Sequence, residues 1–586
     1  MKEIPEDADL RRQWNALALA AEQLQVFFTY EWALAVYRAY NATLRPLLFL
    51  GYDGDRLCGV AALATDPAGQ HVSFLCATTG DYCDFLSAAE HREEFVVSVL
   101  DELRKQNVGE IVFANLPADS DTAKVLRKLS GSSGYRIFAR TGYVCAQVSL
   151  NALERRGAKP VLPRKKMLRR FLNAMGGEAP VRLDHARTWE AIEAILPEFI
   201  QAHVARFLVT GRVSNAARPE RREFLAELAK LLSESGWVAL TRMMSGTKVF
   251  AWNYGFQFQG TWFWYQPTFV NDLEKYSPGF CLLAKLIEEA ADDPAVQTLD
   301  LGLGAEEYKD RFANQTREIL YVTAHESAAR HYREIFRYYA GEIVRASPRI
   351  EAMARAAQKG WRRFRERLAE DGASATLSWL ARRARELLWL ECEVFFYEWH
   401  GTISPGSSGL TLLPLDLSAL AEATSQCIDD EATLGYLLRA ATRVQEGKAE
   451  GFGLVDADGK FLHFAWATTF DGFFLAELQA NVESPSPDSV MLFDCWTPSV
   501  ALGNGYYAQT VESIAKQVQE KGARPWIFSA AGNAASIRGL EKTGFQRRYS
   551  LVRRRMLGWE RVKGETPKSM ENPRGKVAAG AEDSAA

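Results

Sequence analysis

Three times along the chain an alternating apolar run turns at a short polar pair and returns as a second run. The turns are Asp53-Gly54 in RPLLFLGYDGDRLCGVAALAT, Ser245-Gly246 in WVALTRMMSGTKVFAWNYGFQF and Asp458-Gly459 in GFGLVDADGKFLHFAWATTF. Asp-Gly between alternating apolar runs is a strong hairpin signal because glycine takes the left-handed backbone; Ser-Gly is a weaker one. A helix follows each hairpin and a further strand: EEFVVSVLDELRKQ, GFCLLAKLIEEAADD and YYAQTVESIAKQVQEKG. A strand follows each helix (EIVFANL, TLDLGLG, PWIFSAAG), then a short helix and a last strand. Antiparallel strands continued by a helical crossover predict a mixed α/β sheet. The copies lie roughly two hundred residues apart at irregular spacing, which is domain duplication and not a solenoid. The expected units are 1–155, 156–325 and 401–561.

Composition agrees with several domains. The chain has 586 residues, too many for one ordinary core, and 47% apolar with 24% charged residues is globular usage. A net charge of -3 gives no global field for nucleic acid, so no nucleic-acid partner is expected. Eight cysteines without CxxC or Cys/His ligand spacing predict reduced thiols and no metal site. MKEIPEDADLRRQW lacks an apolar signal region, and no run of about eighteen apolar residues occurs. A cytoplasmic location is expected, including one peripheral to the inner membrane face. Residues 326–400 read as a helical, Arg-rich connector. Trp361, Phe364 and Leu368 share a helical face there, with Arg362, Arg363, Arg365 and Arg367 mostly around it. Such a helix either packs across two domains or lies on an anionic membrane surface. The tail 562–586 has the composition of disorder.

Near the end stands NAASIRGLEKTGF. Asn533 is a good N-cap, and Ala534, Ile537 and Leu540 make an apolar stripe. Gly544 suits the left-handed residue after a helix, with Phe545 meeting Leu540 in a Schellman motif. In its surroundings the stretch says more. The strand SVMLFDCW, the loop LGNGYY opening a helix, and PWIFSAAG before NAASIRGLEKTGF resemble the GNAT acyltransferase superfamily. Asn533, Ser536, Glu541, Lys542, Gly544 and Phe545 carry its closing pattern, and the resemblance spans about Gly409 to Leu557. The second copy resembles the acetyltransferase domain of CelD-type cellulose-biosynthesis proteins, relatives of Fem peptidyltransferases that pair two GNAT-like units. His203-x-x-Arg206-Phe207, Tyr276-Ser277-Pro278-Gly279, Asp300-Leu301-Gly302 and Tyr308-Lys309-Asp310-Arg311-Phe312 carry it, with Asp81-Tyr82-Cys83-Asp84 in the first copy. This likeness spans about Arg11 to Arg337.

The resemblance implies three GNAT-like units, the first two paired, the first degenerate and shaping an acceptor groove. It implies acetyl-CoA or another acyl-CoA as co-substrate. The acceptor would be an amine or hydroxyl of a saccharide or cell-envelope precursor. A Fem-like aminoacyl transferase using aminoacyl-tRNA, and a non-catalytic binding module in polysaccharide biosynthesis, are the alternatives.

Acyl transfer from a thioester to an amine requires a held donor, a deprotonated amine and a stabilised oxyanion. Leu502-Gly503-Asn504-Gly505-Tyr506 follows a strand and opens a helix. Its amides suit a pyrophosphate, and its glycines allow close approach, unless this is an ordinary turn. Ser277, Pro278 and Gly279 form the equivalent turn of the second copy, or a structural loop. Asn533 and Ser536 complete the expected cofactor set. For the base, Asp494 interrupts an apolar strand, and Glu477 alternates with Gln479 and Asn481 along a strand. A buried acceptor and a solvent-facing edge are the competing accounts. The family often places a Tyr in the closing helix as the acid that reprotonates the thiolate, and Leu540 stands there. Tyr506, Tyr507 or solvent would then serve. Val500 stands where the family often has Gln or Arg. His203 and Arg206 share a helical face that suits an anionic acceptor such as a sugar phosphate, or form a surface pair. Tyr308 and Lys309 close the second site, or start a helix around a buried Tyr. His463 reads as structural.

Overall fold

The computed structural model describes residues 1–66, 69–129, 134–150 and 165–353 (save 178, 305 and 348), isolated positions between 355 and 378, then 389–401, 409–556 and 559–564. The tail beyond 564 and Arg362, Arg363 and Arg367 of the connector lie outside the described residues. The chain divides into two compact units. The first holds residues 1–210 and 214–352, the second 211–213 and 353–586.

All three hairpins form. In the first unit β1 (Arg45–Asp53) returns as β2 (Arg56–Thr65), and β8 (Val238–Ser245) returns as β9 (Lys248–Phe258). Gly54 and Gly246 take the left-handed turn positions, with φ of 61° and 56°. Each hairpin is extended by a strand, β3 (His71–Phe74) and β10 (Thr261–Phe269). Each then crosses through a helix, Arg92–Lys105 or Pro278–Asp292, to a parallel strand, β5 (Glu110–Pro117) or β11 (Thr298–Asp300). Short β4 (Leu86–Ser87) adds to β2, and β7 (Arg182–Ala186) to β8.

The two copies then exchange their last strands. β6 (Arg136–Ser149) closes the first copy, and β12 (Gln315–His325) closes the second. β12 runs antiparallel to β5, with His325 opposite Glu110. β6 runs antiparallel to β11, with Ser149 opposite Thr298. β6 and β12 also pair with each other. Residues 1–155 and 156–325 therefore share one twelve-stranded sheet, in the order β1-β2-β3-β5-β12-β6-β11-β10-β9-β8-β7. Each copy keeps its own apolar layer, around Phe74, Phe85 and Phe113 in the first and Phe250, Trp264 and Leu283 in the second. Between them Phe27, Trp32, Phe256, Phe263 and Tyr265 meet in edge-on and tilted contacts with centroids about 5–6 Å apart, the arrangement aromatic quadrupoles favour.

The second unit repeats the pattern once. β15 (Glu450–Val455) and β16 (Phe461–Thr469) form the hairpin. β19 (Ser489–Trp496) follows, then the helix Tyr506–Glu520 and parallel β20 (Arg524–Ala530), and β21 (Phe545–Met556) ends in a hairpin with β22 (Trp559–Gly564). β14 (Thr411–Pro414) pairs with β15. Residues 389–399 were expected within the helical connector. They form β13 (Trp389–Trp399), antiparallel to both β20 and β21, in the slot that β12 fills in the first unit. The cause is period-two patterning in WLECEVFFYEW, where Val394 and Phe396 are fully buried. The connector is helical over Ala328–Arg345.

FFLAELQANV is not one strand. β17 (Phe473–Leu475) and β18 (Ala480–Val482) form a hairpin, and Glu477 sits in its turn. Gln479 closes that turn in the left-handed region (φ 50°), its amide donating to the Ala476 carbonyl at 2.8 Å. The Glu477–Asn481 stripe therefore does not exist.

Candidate functional site

In the second unit β19 and β20 pair only from Ser489–Arg524 to Leu492–Ile527. Beyond Leu492 a bulge bends β19. Phe493 and Trp496 pair with Trp466 and Phe464 of β16, so the two residues between them stand opposite the single residue Ala465. Asp494 is one of them, at φ 46°, a conformation that Asp tolerates better than most side chains. Its carboxylate meets Arg443 at 2.7 Å, and its carbonyl accepts from the Tyr436 hydroxyl at 3.0 Å. Both partners stand on the helix Glu431–Glu446, so they hold the bulge in place. That accounts for an acid in an apolar strand.

Past the parted strands lies LGNGYY. Gly503 and Gly505 both take left-handed backbone, φ 84° and 76°, with open space where a Cβ would stand. Gly505 is the N-cap of the fifteen-residue helix Tyr506–Glu520 and no side chain caps it. The first-turn amides therefore carry the partial positive charge of the helix end without a competing side-chain acceptor. Val500 and Leu502 flank the loop and are exposed. The closing helix approaches from Asn533, whose Oδ1 accepts from the Ser536 amide at 3.1 Å. The Ser536 and Tyr507 hydroxyls are 2.8 Å apart, and the Tyr507 ring packs on Gly539, where a Cβ would lie 2.6 Å away.

Two expectations for that helix change. Gly544 is not left-handed, and Thr543 ends the helix through its hydroxyl on the Leu540 carbonyl at 2.7 Å. Glycine is needed at 544 because the Gly401 backbone approaches where a Cβ would be. Leu540 is wholly buried among Val511, Ile514 and Phe545.

His463 is buried beside the same gap. Its Nδ1 pairs with Thr497 Oγ1 at 2.7 Å, its Nε2 has no partner among the described residues, and its ring lies 5.8 Å from that of Tyr507. Burial pushes its pKa down from 6.5 to about 3. Between those values the unfolded chain binds a proton that the folded chain does not, so this contribution to stability is lost as pH falls from about 6.5 toward 3. His463→Gln is expected to flatten the acid decline relative to the parent, in urea unfolding followed from pH 7 to pH 4. An unchanged slope would contradict it.

The first unit repeats the opening. β10 and β11 pair over three positions, ending at Phe263–Asp300. Ser277 is left-handed at φ 48°, Pro278 starts the Pro278–Asp292 helix, and Gly279 packs against Phe269. Where β11 ends, the exchanged strands bring acids together. Asp300 is buried and accepts from Tyr82 Oη and Gln147 Nε2, both at 2.7 Å, and from the Gly302 amide at 2.9 Å. Asp81, half-buried, packs on the bare Cα of left-handed Gly302. Burial first, and then the neighbouring Asp300, raise Asp81 to about 7, against the pull of Lys309. Burial raises Asp300 as well. A carboxyl titrating near neutrality can give and take protons at working pH.

Tyr308 and Lys309 join this cluster. The Tyr308 hydroxyl accepts from the Trp264 indole at 3.2 Å, and burial lifts its pKa to about 12. Lys309 is buried, its Nζ on the Leu303 carbonyl at 2.9 Å and Glu306 at 2.8 Å. Arg206 donates to the Pro267 carbonyl at 3.0 Å and lies over Phe269. His203 is buried on the same helix, with Nδ1 on Ser214 Oγ at 2.8 Å and its ring on Phe207, so no surface His/Arg pair exists. Sequence reasoning singled out neither Asp81 nor Asp300 as a titrating pair. The short motifs DYCD and DLG were their only signal.

Residues 163–310 match the family model described as Acetyltransferase (GNAT) domain, and this segment has a GNAT-type acyltransferase fold. No curated protein matches the chain. Among solved structures it is similar to L-PGS from Bacillus licheniformis, at 10% identity over 56% of this chain and 93% of that one, TM-score 0.38. It is also similar to FemX, at 10% identity over 53% and 95%, TM-score 0.38. A tandem GNAT protein from the clavulanic acid biosynthesis pathway gives 12% identity over 55% and 96%, TM-score 0.31.

Proposed function

We propose that the protein transfers an acyl group from an acyl-CoA, with acetyl-CoA as the default donor, to an amine or hydroxyl of a saccharide or cell-envelope precursor. The uncapped helix end behind Gly503 and Gly505, beside two parted parallel strands, supports this best. Its amides suit the donor's pyrophosphate, and the unpaired strand edges suit the amide-bearing arm that leads to the thioester. Ser277, Pro278 and Gly279 offer a second such place. There Asp81 takes the proton that the attacking amine or hydroxyl loses as its bond to the acyl carbon forms. The C–S bond then breaks, and the thiolate takes a proton from solvent or a tyrosine. Among the described residues no group of three His, Cys, Asp or Glu is placed to hold a metal.

Calorimetric titration of the full chain with CoA and acetyl-CoA tests the donor. Gly505→Trp covers the first-turn amides and strains a left-handed position, so affinity at that loop is expected to fall at least about tenfold. Unchanged affinity and stoichiometry in a folded variant would place the donor elsewhere. Binding of charged tRNA but no CoA species would transfer the reading to aminoacyl transfer.

A further inference from the structure

A cleft of about 500 Å3 in the first unit lies away from the parted strands. Arg140 of β6 and His325 of β12 form one wall, and Arg330, Arg333, Arg337 and Arg345 of the helix Ala328–Arg345 form the other. Arg140 stands near one end of β6, whereas Gln147, which bonds Asp300, stands near the other. The cleft is thus separate from the carboxylate cluster.

Its charges do not cancel. The two acids lining it are each held by a histidine, Glu110 by His71 at 3.2 Å and Glu334 by His325 Nε2. Arg345 pairs with Glu342. Arg140, Arg330, Arg333 and Arg337 have no carboxylate partner among the described residues, and Arg140 lies instead over the Tyr321 and Tyr338 rings. His325 is 3% exposed, and its Nδ1 has no partner among the described residues. Arginine forks at this density match phosphoryl oxygens.

The same helix carries a second feature. Tyr332, Phe336, Tyr339 and Ile343, spaced four, three and four apart, form one stripe that is 65%, 73%, 58% and 70% exposed. At 100° per residue this stripe lies well round the helix from the arginines. Two tyrosines, a Phe and an Ile on one face, with arginines on the polar remainder of the helix, are the composition of a helix lying in a lipid interface. No described helix is long and apolar enough to cross a membrane, so the contact is interfacial.

We infer that the helix Ala328–Arg345 docks on an anionic phospholipid surface, with the arginine cleft holding lipid phosphoryl groups and the Tyr332–Ile343 stripe entering the headgroup layer. The inference does not depend on the acyl-transfer reading. The test is co-sedimentation of the full chain with phosphatidylglycerol/phosphatidylcholine vesicles and with phosphatidylcholine vesicles alone. Binding is expected only to the anionic vesicles. R330Q/R333Q/R337Q is expected to weaken it on the order of a hundredfold, roughly fivefold per charge. F336S/Y339S should weaken vesicle binding while leaving inorganic pyrophosphate binding intact. These exposed positions leave the fold unchanged by circular dichroism. Equal binding to both vesicles, or an arginine variant that binds as the parent does, overturns the inference. So does pyrophosphate binding without vesicle binding, which would assign the cleft to a soluble phosphate ester. Self-association abolished by F336S/Y339S would assign the stripe to a second copy of the chain, with the same consequence.

Discussion

A chain ended after Asp310 is expected to show no cooperative unfolding transition, whereas one ended after Ala352 unfolds in a single step. The shorter chain lacks β12, eleven residues that lie between β5 and β6. Without it both copies lose the neighbour of a central strand, and the cores around Phe113 and Leu283 open toward water. The backbone groups of β5 and β6 would have no partner in the middle of a sheet, and each such buried group costs about 1–3 kcal/mol. Their sum exceeds the 5–15 kcal/mol by which whole domains are stable. Near-ultraviolet circular dichroism against urea reads the outcome. A sharp transition in the 310-residue chain would mean that the first copy folds alone.

Asp300→Ala is expected to cost roughly 3–5 kcal/mol, because it strands the Tyr82 hydroxyl, the Gln147 amide and the Gly302 amide together in a buried place. Less than about 1 kcal/mol in urea midpoints would show that water or a shifted side chain replaces the carboxylate. A second readout is specific to the acid pair. Asp81 titrates near 7 in the folded protein and near 3.8 otherwise. Between those values the folded chain holds a proton that the unfolded chain has released, so stability from this group falls as pH rises from about 4 to about 7. Without the Asp300 charge Asp81 returns toward its ordinary range, and that slope shrinks. Buried His203, pushed down to about 3, gives the opposite slope below 6.5. It is present in parent and variant alike, so the difference between them isolates the acid pair, the loss of Asp300's own raised titration acting in the same direction as the change at Asp81.

The hairpins and crossovers were legible because their signals are local. Asp53-Gly54 and Asp458-Gly459 state a turn in two residues, and the helices between parallel strands state their own period. Strand exchange is not local. β6 and β12 close their copies in similar places, and nothing within either segment says which β-edge it will join. β13 was hidden by its neighbour, since ARRARELL directly before it reads as helix. At the candidate site the Gly503–Gly505 loop was visible because a positive φ selects glycine. Gly544 misled for the same reason, since glycine also serves where two backbones touch. Asp494 looked like a base because Arg443, which explains it, is fifty-one residues away. Asp300 and Tyr82 are 218 residues apart, beyond any pattern of spacing.

The exchanged strands also set a timetable. A ribosome adding about 5–20 residues per second needs on the order of 10–40 s to travel from Pro117, the end of β5, to Gln315, the start of β12. Throughout that interval β5 has one open edge, and β6 has no neighbour until β11 and β12 emerge. An edge left open for so long is a template for pairing with another nascent chain. Holding chaperones, or a slow stretch of translation placed after His325, would therefore govern yield more than the stability of the finished sheet does.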